Sequence, residues 1–221
     1  MSTTTPQVIA LRPKQPAPVR AVAHLISYVF HPLFIPAYVT AFLLFIDPYS
    51  FAGVPAKFKM FRLISVFFTT GFLPGFSVFL MWRLGLIQSM FLRTQKDRII
   101  PYATAMIFYF WCWYVFHNQH ENPQSIMNFL LGTFLGVCAA WFLNIVNKIS
   151  MHAIGVGGMA MFFLLQAFGQ QDVTGVYFSF AILIAGLVCT ARLIVSDHSQ
   201  VEIYFGFVAG ALCQVIALWL Q

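Results

Sequence analysis

Charge is scarce in this chain. Only 8% of the 221 residues are Asp, Glu, Lys or Arg, and just six are acidic, too few to clothe the surface of a water-soluble domain of this length. Carboxylates this sparse build no cage for a hard divalent cation, and no Cys/His ligand cluster stands in for one. The four cysteines, Cys112, Cys138, Cys189 and Cys213, all fall inside apolar runs. There they read as small packing residues, neither disulfides nor metal ligands, and they leave the redox compartment undetermined. Also missing is the polar and apolar alternation of a lipid-embedded barrel. What the chain has in quantity is hydrocarbon. Sixty per cent apolar residues, 26 phenylalanines and a mean hydropathy of +0.82 make lipid the solvent for most of it.

Apolar runs of roughly 17 to 25 residues let a helix cross about 30 Å of hydrocarbon. Seven candidates occur, at residues 26–46, 63–82, 100–116, 126–146, 153–168, 173–191 and 203–220. The expected fold is therefore all-α, a polytopic transmembrane helix bundle of six to seven spans. The third and fifth runs are short, so six spans plus a re-entrant element stays open. Residues 1–20 hold four prolines and too little apolar length for a signal sequence; they read as a flexible arm ahead of a single domain over 21–221. Gly132-xxx-Gly136 and Gly206-xxx-Gly210 suit close helix approach. Pro36 and Pro74 bend their helices, and Pro123 marks a loop.

The polar residues gather where seven spans leave loops. Arg93, Lys96, Asp97 and Arg98 lie between the second and third runs, Lys148, Ser150 and His152 between the fourth and fifth, and Arg192 to Glu202 between the sixth and seventh. Alternate loops share a side, so all three clusters meet on one face. The other face receives HNQHENPQ, GQQD and the basic stretch of Lys57, Lys59 and Arg62. Lys and Arg favour the cluster face, which the positive-inside rule makes cytoplasmic. An anion site recruits cations for its own reasons, however, so sidedness stays open. The membrane expected is the inner, cytoplasmic one.

His198 and Glu202 stand four apart at the start of the last helix, on one face. A carboxylate that takes the proton of one imidazole nitrogen leaves the other to attack, the pairing of nucleophile and orienting group used in covalent catalysis. Arg192 closes the preceding helix, and its forked guanidinium suits the equatorial oxygens of a phosphoryl group. The bland alternative is equally concrete: Ser199-x-x-Glu202 ahead of an apolar run is a capping box. At the mouth of the fifth run, His152 suits a general acid that protonates a leaving oxygen. Ser150, with backbone amides at a helix N-terminus, suits an anion. The alternative there is a polar cap followed by a packing face of Gly155, Gly157 and Gly158. The stretch RTQKDRIIPY, just before a helix that Pro101 helps to begin, reads on its own as a basic loop meeting anionic headgroups.

Together the three clusters resemble the signature of the type 2 phosphatidic acid phosphatase and vanadium haloperoxidase superfamily, in a short bacterial, all-membrane form, over about residues 93–210. Its third part, Ser-Arg-x5-His-x3-Asp, corresponds to Ala191, Arg192, His198 and Glu202. Its second, Pro-Ser-Gly-His, corresponds to Ile149, Ser150, Met151 and His152. The first, Lys-x6-Arg-Pro, falls on Arg93, Ile100 and Pro101, with Lys96 and Arg98 supplying cations from an adjacent turn. The resemblance implies a metal-independent lipid phosphatase that needs no cofactor. His198 attacks phosphorus to give a phosphohistidine, Glu202 orients it and His152 protonates the departing group. Lys96, Arg98, Ser150 and Arg192 hold the phosphate. The substrates implied are phosphatidic acid, phosphatidylglycerol phosphate, a polyprenyl diphosphate or a lipid A phosphate.

Departures from the signature at Ile100, Met151 and Ala191 keep open a relative that binds or transports lipid phosphates without cleaving them. A reading from another class is a haem protein using pairs among His24, His31, His117, His120, His152 and His198. It requires pairs at one depth, whereas His117 and His120 fall on the face opposite His152 and His198, and His31 has no evident partner. The partners expected are the lipid substrate, the surrounding lipids and, in a homo-oligomer, other copies of the chain. Nucleic acid is not among them.

Overall fold

The computed structural model describes residues 15–92, 94–119, 121–146, 148–169, 174–195 and 198–221. Among them every regular element is helical, as the composition predicts. Six helices are long and apolar enough to span a membrane: Ala56–Arg83, Gln95–His117, Gln124–Val146, Met151–Gly169, Gly175–Val195 and Gln200–Leu220. Their outward faces are bare hydrocarbon. Phe68, Phe72, Phe76 and Phe79 are all exposed and stack in a ladder, with successive ring centroids 4.9, 5.7 and 6.3 Å apart. Such a surface is stable against lipid and not against water, and the chain has the architecture of a multi-pass membrane protein.

The first predicted span needs correction. Residues 26–46 are not one helix, because α1 (Ala17–Val29) and α2 (Ile35–Phe45) are separated by a turn at residues 30–34. Pro32 and Pro36 account for the break, since neither has an N–H for the preceding turn. Pro36 instead sits in the first turn of α2, where proline is tolerated. Because α1 begins at Ala17, the last residues of the expected arm are helical; residues 1–14 lie outside the described residues.

The second span is longer than the sequence predicts. Helix α3 (Ala56–Val66) runs through a π-helical segment, Phe67–Phe72, into α4 (Leu73–Arg83). The ring of Pro74 cannot bond back to the turn before it, and the wider π turn absorbs the offset. Helix α5 (Gln95–His117) also starts early. The Thr94 hydroxyl accepts the Asp97 amide at 3.1 Å, so the helix begins there, and Pro101 lies inside it and does not start it.

Helices α6 (Gln124–Val146), α7 (Met151–Gly169), α8 (Thr174–Val195) and α9 (Gln200–Leu220) match the remaining runs. The centre is α7, with 50% of its membrane window buried, the largest share of the six. It meets α9 backbone to backbone. Gly157 lies against the Phe207 carbonyl, Gly210 against the Ile154 carbonyl and Gly206 against the Ser150 carbonyl. A β-carbon at 157 or 210 would collide with a peptide group, so these glycines set how closely the two helices approach. Gly132 serves a different purpose: it admits the side chain of Gln214, whose Nε2 donates to the Phe129 carbonyl at 3.2 Å.

Polar contacts separate into two ends, as the loop parity requires. At one end Arg62 donates to Asn122 Oδ1 at 2.9 Å and to Glu121 Oε2 at 3.3 Å, and Ser50 bridges Asp47 and Ser125. The other end holds the three clusters.

Candidate functional site

Helices α5 and α6 are tied where the first cluster begins. Gln95 Nε2 donates to the Asn144 carbonyl at 3.2 Å, and Asn144 Nδ2 to the Gln95 carbonyl at 3.0 Å. One turn on, the guanidinium of Arg98 is buried. Its Nε donates to the Leu92 carbonyl at 2.8 Å and its Nη1 to the Ile149 carbonyl at 2.9 Å, which joins the first cluster to the residue preceding Ser150. These carbonyls occupy two of its five N–H donors. Lys96 is two positions away, roughly 200° round the helix at 100° per residue. It is exposed and makes no hydrogen bond or ion pair among the described residues. The sequence reads the two cations as neighbours; the early start of α5 puts them on different faces. Arg93 lies outside the described residues.

Ser150 is fully buried and caps α7, its Oγ accepting the Ala153 amide at 3.4 Å. The capping alternative is thus present, and so is the packing face: a β-carbon on Gly155 would stand 3.4 Å from Pro32. His152 follows on the first turn with Nε2 3.1 Å from the Ser27 carbonyl. A carbonyl only accepts, so Nε2 carries the proton in this arrangement, and Nδ1 is the nitrogen left to exchange one.

His31 has a partner after all. Its ring meets that of His152 edge to face, centroids 5.1 Å apart at 81°, while its Nδ1 accepts the Leu33 amide at 3.3 Å. The turn between α1 and α2 delivers this third imidazole. No spacing rule pairs 31 with 152. The available signal was that an ionisable residue inside an apolar run is costly and marks a function or a buried partner. Two rings in contact leave no room for a macrocycle between them, so the pair does not suit haem.

At the third cluster His198 is buried, 5% exposed, with Nδ1 2.7 Å from Glu202 Oε2. The same oxygen accepts the Ser199 amide at 3.2 Å, and Ser199 Oγ accepts the Glu202 amide at 3.2 Å. Glu202 therefore completes the capping box and orients the imidazole at once. Burial lowers the pKa of His198 below the usual histidine range. The Glu202 carboxylate opposes that shift, and the charges of Arg98 and Lys148 add to it. The balance favours the neutral ring at neutral pH, the form with a nucleophilic nitrogen.

The charges show which groups converge. Arg192, on the last turn of α8, acts electrostatically on His31 and on His152. Arg98 acts on Arg192 and on His198, and His198 on His152. Side chains from α5, α7, α8, the start of α9 and the α1–α2 turn thus share one neighbourhood. Lys148, which sequence reasoning placed in the second cluster without a role, belongs to it through His198. Two cavities border this neighbourhood, of about 40 and about 660 Å³, and neither is lined by His198, Glu202 or Arg192. Among the described residues no three His, Cys, Asp or Glu side chains gather as a metal ion would require.

Compared with protein families, curated proteins and solved structures, the chain gives no significant match.

Proposed function

We propose that the protein is an integral-membrane lipid phosphatase working through a phosphohistidine on His198. The observation that carries this reading is the 2.7 Å contact between His198 Nδ1 and Glu202 Oε2: a carboxylate on one nitrogen leaves Nε2 to attack phosphorus. The P–O bond to the lipid alcohol breaks, its electron pair leaves with the oxygen, and His152, which for this step takes up a proton on Nδ1 while Nε2 stays on the Ser27 carbonyl, passes that Nδ1 proton to the departing oxygen. Glu202 stabilises the positive charge that forms on the ring. Water, losing its proton to His152 Nδ1, then attacks phosphorus, the P–N bond breaks with its electron pair returning to His198 Nε2, and both histidines are regenerated. Arg192 and Arg98, with Lys148 beside His198 and Ser150 at the start of α7, offset the charge on the equatorial oxygens. Lys96, outside this group, serves to attract anionic headgroups to the face.

The three sequence motifs support this reading, and so does the position of the cluster at one end of a lipid-facing bundle. Substrates that fit are phosphatidic acid, phosphatidylglycerol phosphate, polyprenyl diphosphate and lipid A phosphates, met at the inner membrane of a bacterium. A second reading, binding or transport without turnover, is favoured by one specific observation: Arg98 and His152 both spend donors on backbone carbonyls. Phosphate release from these lipids in bilayers decides between them. Release that disappears in His198→Ala supports the hydrolase, and saturable binding without release supports the carrier.

A further inference from the structure

His31 lies outside residues 93–210, where the three motifs fall, and takes no part in the reaction steps above. Its place is set by the turn between α1 and α2, which is clasped from two sides. On one side a β-carbon on Gly155 of α7 would stand 3.4 Å from Pro32, and on the other a β-carbon on Gly71 of the π-helical segment would stand 3.5 Å from the Leu33 carbonyl oxygen. Aromatic rings continue the clasp. Phe34 stacks on Phe67 with centroids 6.1 Å apart at 14°, and His31 meets Phe34, also at 6.1 Å. Because His31 Nδ1 accepts the Leu33 amide at 3.3 Å, its proton sits on Nε2 and the ring is neutral. Burial, with the charge of Arg192 adding to it, lowers the pKa of His31 to about 4 and keeps it so at neutral pH.

His152 has one hydrogen bond to hold it, from Nε2 to the Ser27 carbonyl at 3.1 Å. A ring attached at one corner can pivot about that bond, and Nδ1 must stay turned from the carbonyl to pass a proton. The edge-to-face contact with His31, centroids 5.1 Å apart at 81°, is a second point of attachment. Both points come from one piece of chain, Ser27 on the last turn of α1 and His31 just beyond its end.

We propose that His31 is a positioning residue: it holds the ring of His152 so that Nε2 stays on the Ser27 carbonyl and Nδ1 faces the reacting phosphate. That a phosphate lies there rests on the phosphatase reading above; that the ring is held does not.

The test compares the full-length protein in detergent micelles with His31→Asn. Asparagine keeps an acceptor for the Leu33 amide, as in an Asx turn, and removes the ring. In protein carrying isotope-labelled histidine, nitrogen NMR reads which nitrogen of His152 bears the proton, its signal assigned by loss in His152→Gln. The parent shows a single Nε2–H tautomer and His31→Asn a mixture of the two. In phosphate release, kcat/KM for phosphatidic acid falls about ten- to a hundredfold in His31→Asn. For p-nitrophenyl phosphate it stays within about twofold, because nitrophenolate departs without a proton. His31→Phe, which restores a ring, recovers both readouts. An unchanged tautomer in His31→Asn, equal losses on the two substrates, or no recovery in His31→Phe overturns the proposal. A parent with the single tautomer that releases no phosphate loses only the phosphatase reading. A hydrolase whose His152 tautomer is indifferent to His31 loses only the positioning.

Discussion

At the scale of single residues, the account depends on Glu202 doing two things at once. Glu202→Gln separates them, because glutamine also closes a capping box but carries no charge. Its folding stability should stay within about 0.5 kcal/mol of the parent, while the rate of phosphate release falls by about ten- to a hundredfold. The pH profile gives the sign. The neutral ring of His198 is the nucleophile, so the rate rises with pH through its pKa. Glu202 raises that pKa against the lowering effect of burial, so the variant's acid limb moves to lower pH. A limb that stays in place, with stability lost instead, leaves Glu202 a cap alone. The same shift bears on folding. With the native pKa lowered, the unfolded chain binds more protons as pH drops below about 6.5, so stability falls there, and His198→Gln should flatten that fall in melts taken across pH.

Arg192→Lys is the sharper residue test, since a point charge replaces a planar fork. The expected loss of phosphate release is about a hundredfold, measured beside the melting temperature so that lost folding is separated from lost catalysis. His198 and Glu202 were legible in the sequence because i and i+4 lie on one helix face whatever the rest of the chain does. His31 was not. Its contact with His152 depends on where a proline-bounded turn places a ring against a helix far along the chain, and no local pattern encodes that.

At the scale of elements, the crossing of α7 and α9 positions His152 relative to His198. Gly157→Ala puts a methyl group against the Phe207 carbonyl and should cost about 1 to 3 kcal/mol by overpacking, read by thermal unfolding in detergent. Gly186→Ala meets nothing and should be neutral or stabilising by up to about 1 kcal/mol. Equal effects from the two would mean that the close approach is not what holds the pair. Four helices were readable to within a few residues from apolar run length alone. The start of α5 was misread because Pro101 looked like a first-turn proline, while the true signal, Thr94 with Asp97 three residues on, repeats the pattern recognised at Ser199 and Glu202. The break between α1 and α2 was missed for a related reason. Hydropathy averages over the turn, whose one ionisable residue is His31, and 26–46 stays apolar on average.

At the scale of the whole molecule, loop parity placed the three clusters on one end without any knowledge of packing, because a chain that crosses a membrane must alternate sides. What parity could not supply is how the clusters are joined. Arg98 does this by spanning from the Leu92 carbonyl to the Ile149 carbonyl, and hydrogen bonds to a charged donor contribute about 1.5 to 3 kcal/mol each. Arg98→Met should therefore lower both stability, read by thermal melts, and activity, read by phosphate release. The central claim is that this end of the bundle cleaves phosphate from lipid. Its most direct measurement is inorganic phosphate released from phosphatidic acid bilayers by the purified protein and by folded His198→Ala. The account predicts steady release by the parent and loss of several orders of magnitude in the variant. Equal release by both, or none from any phosphorylated lipid in a headgroup panel, would contradict it.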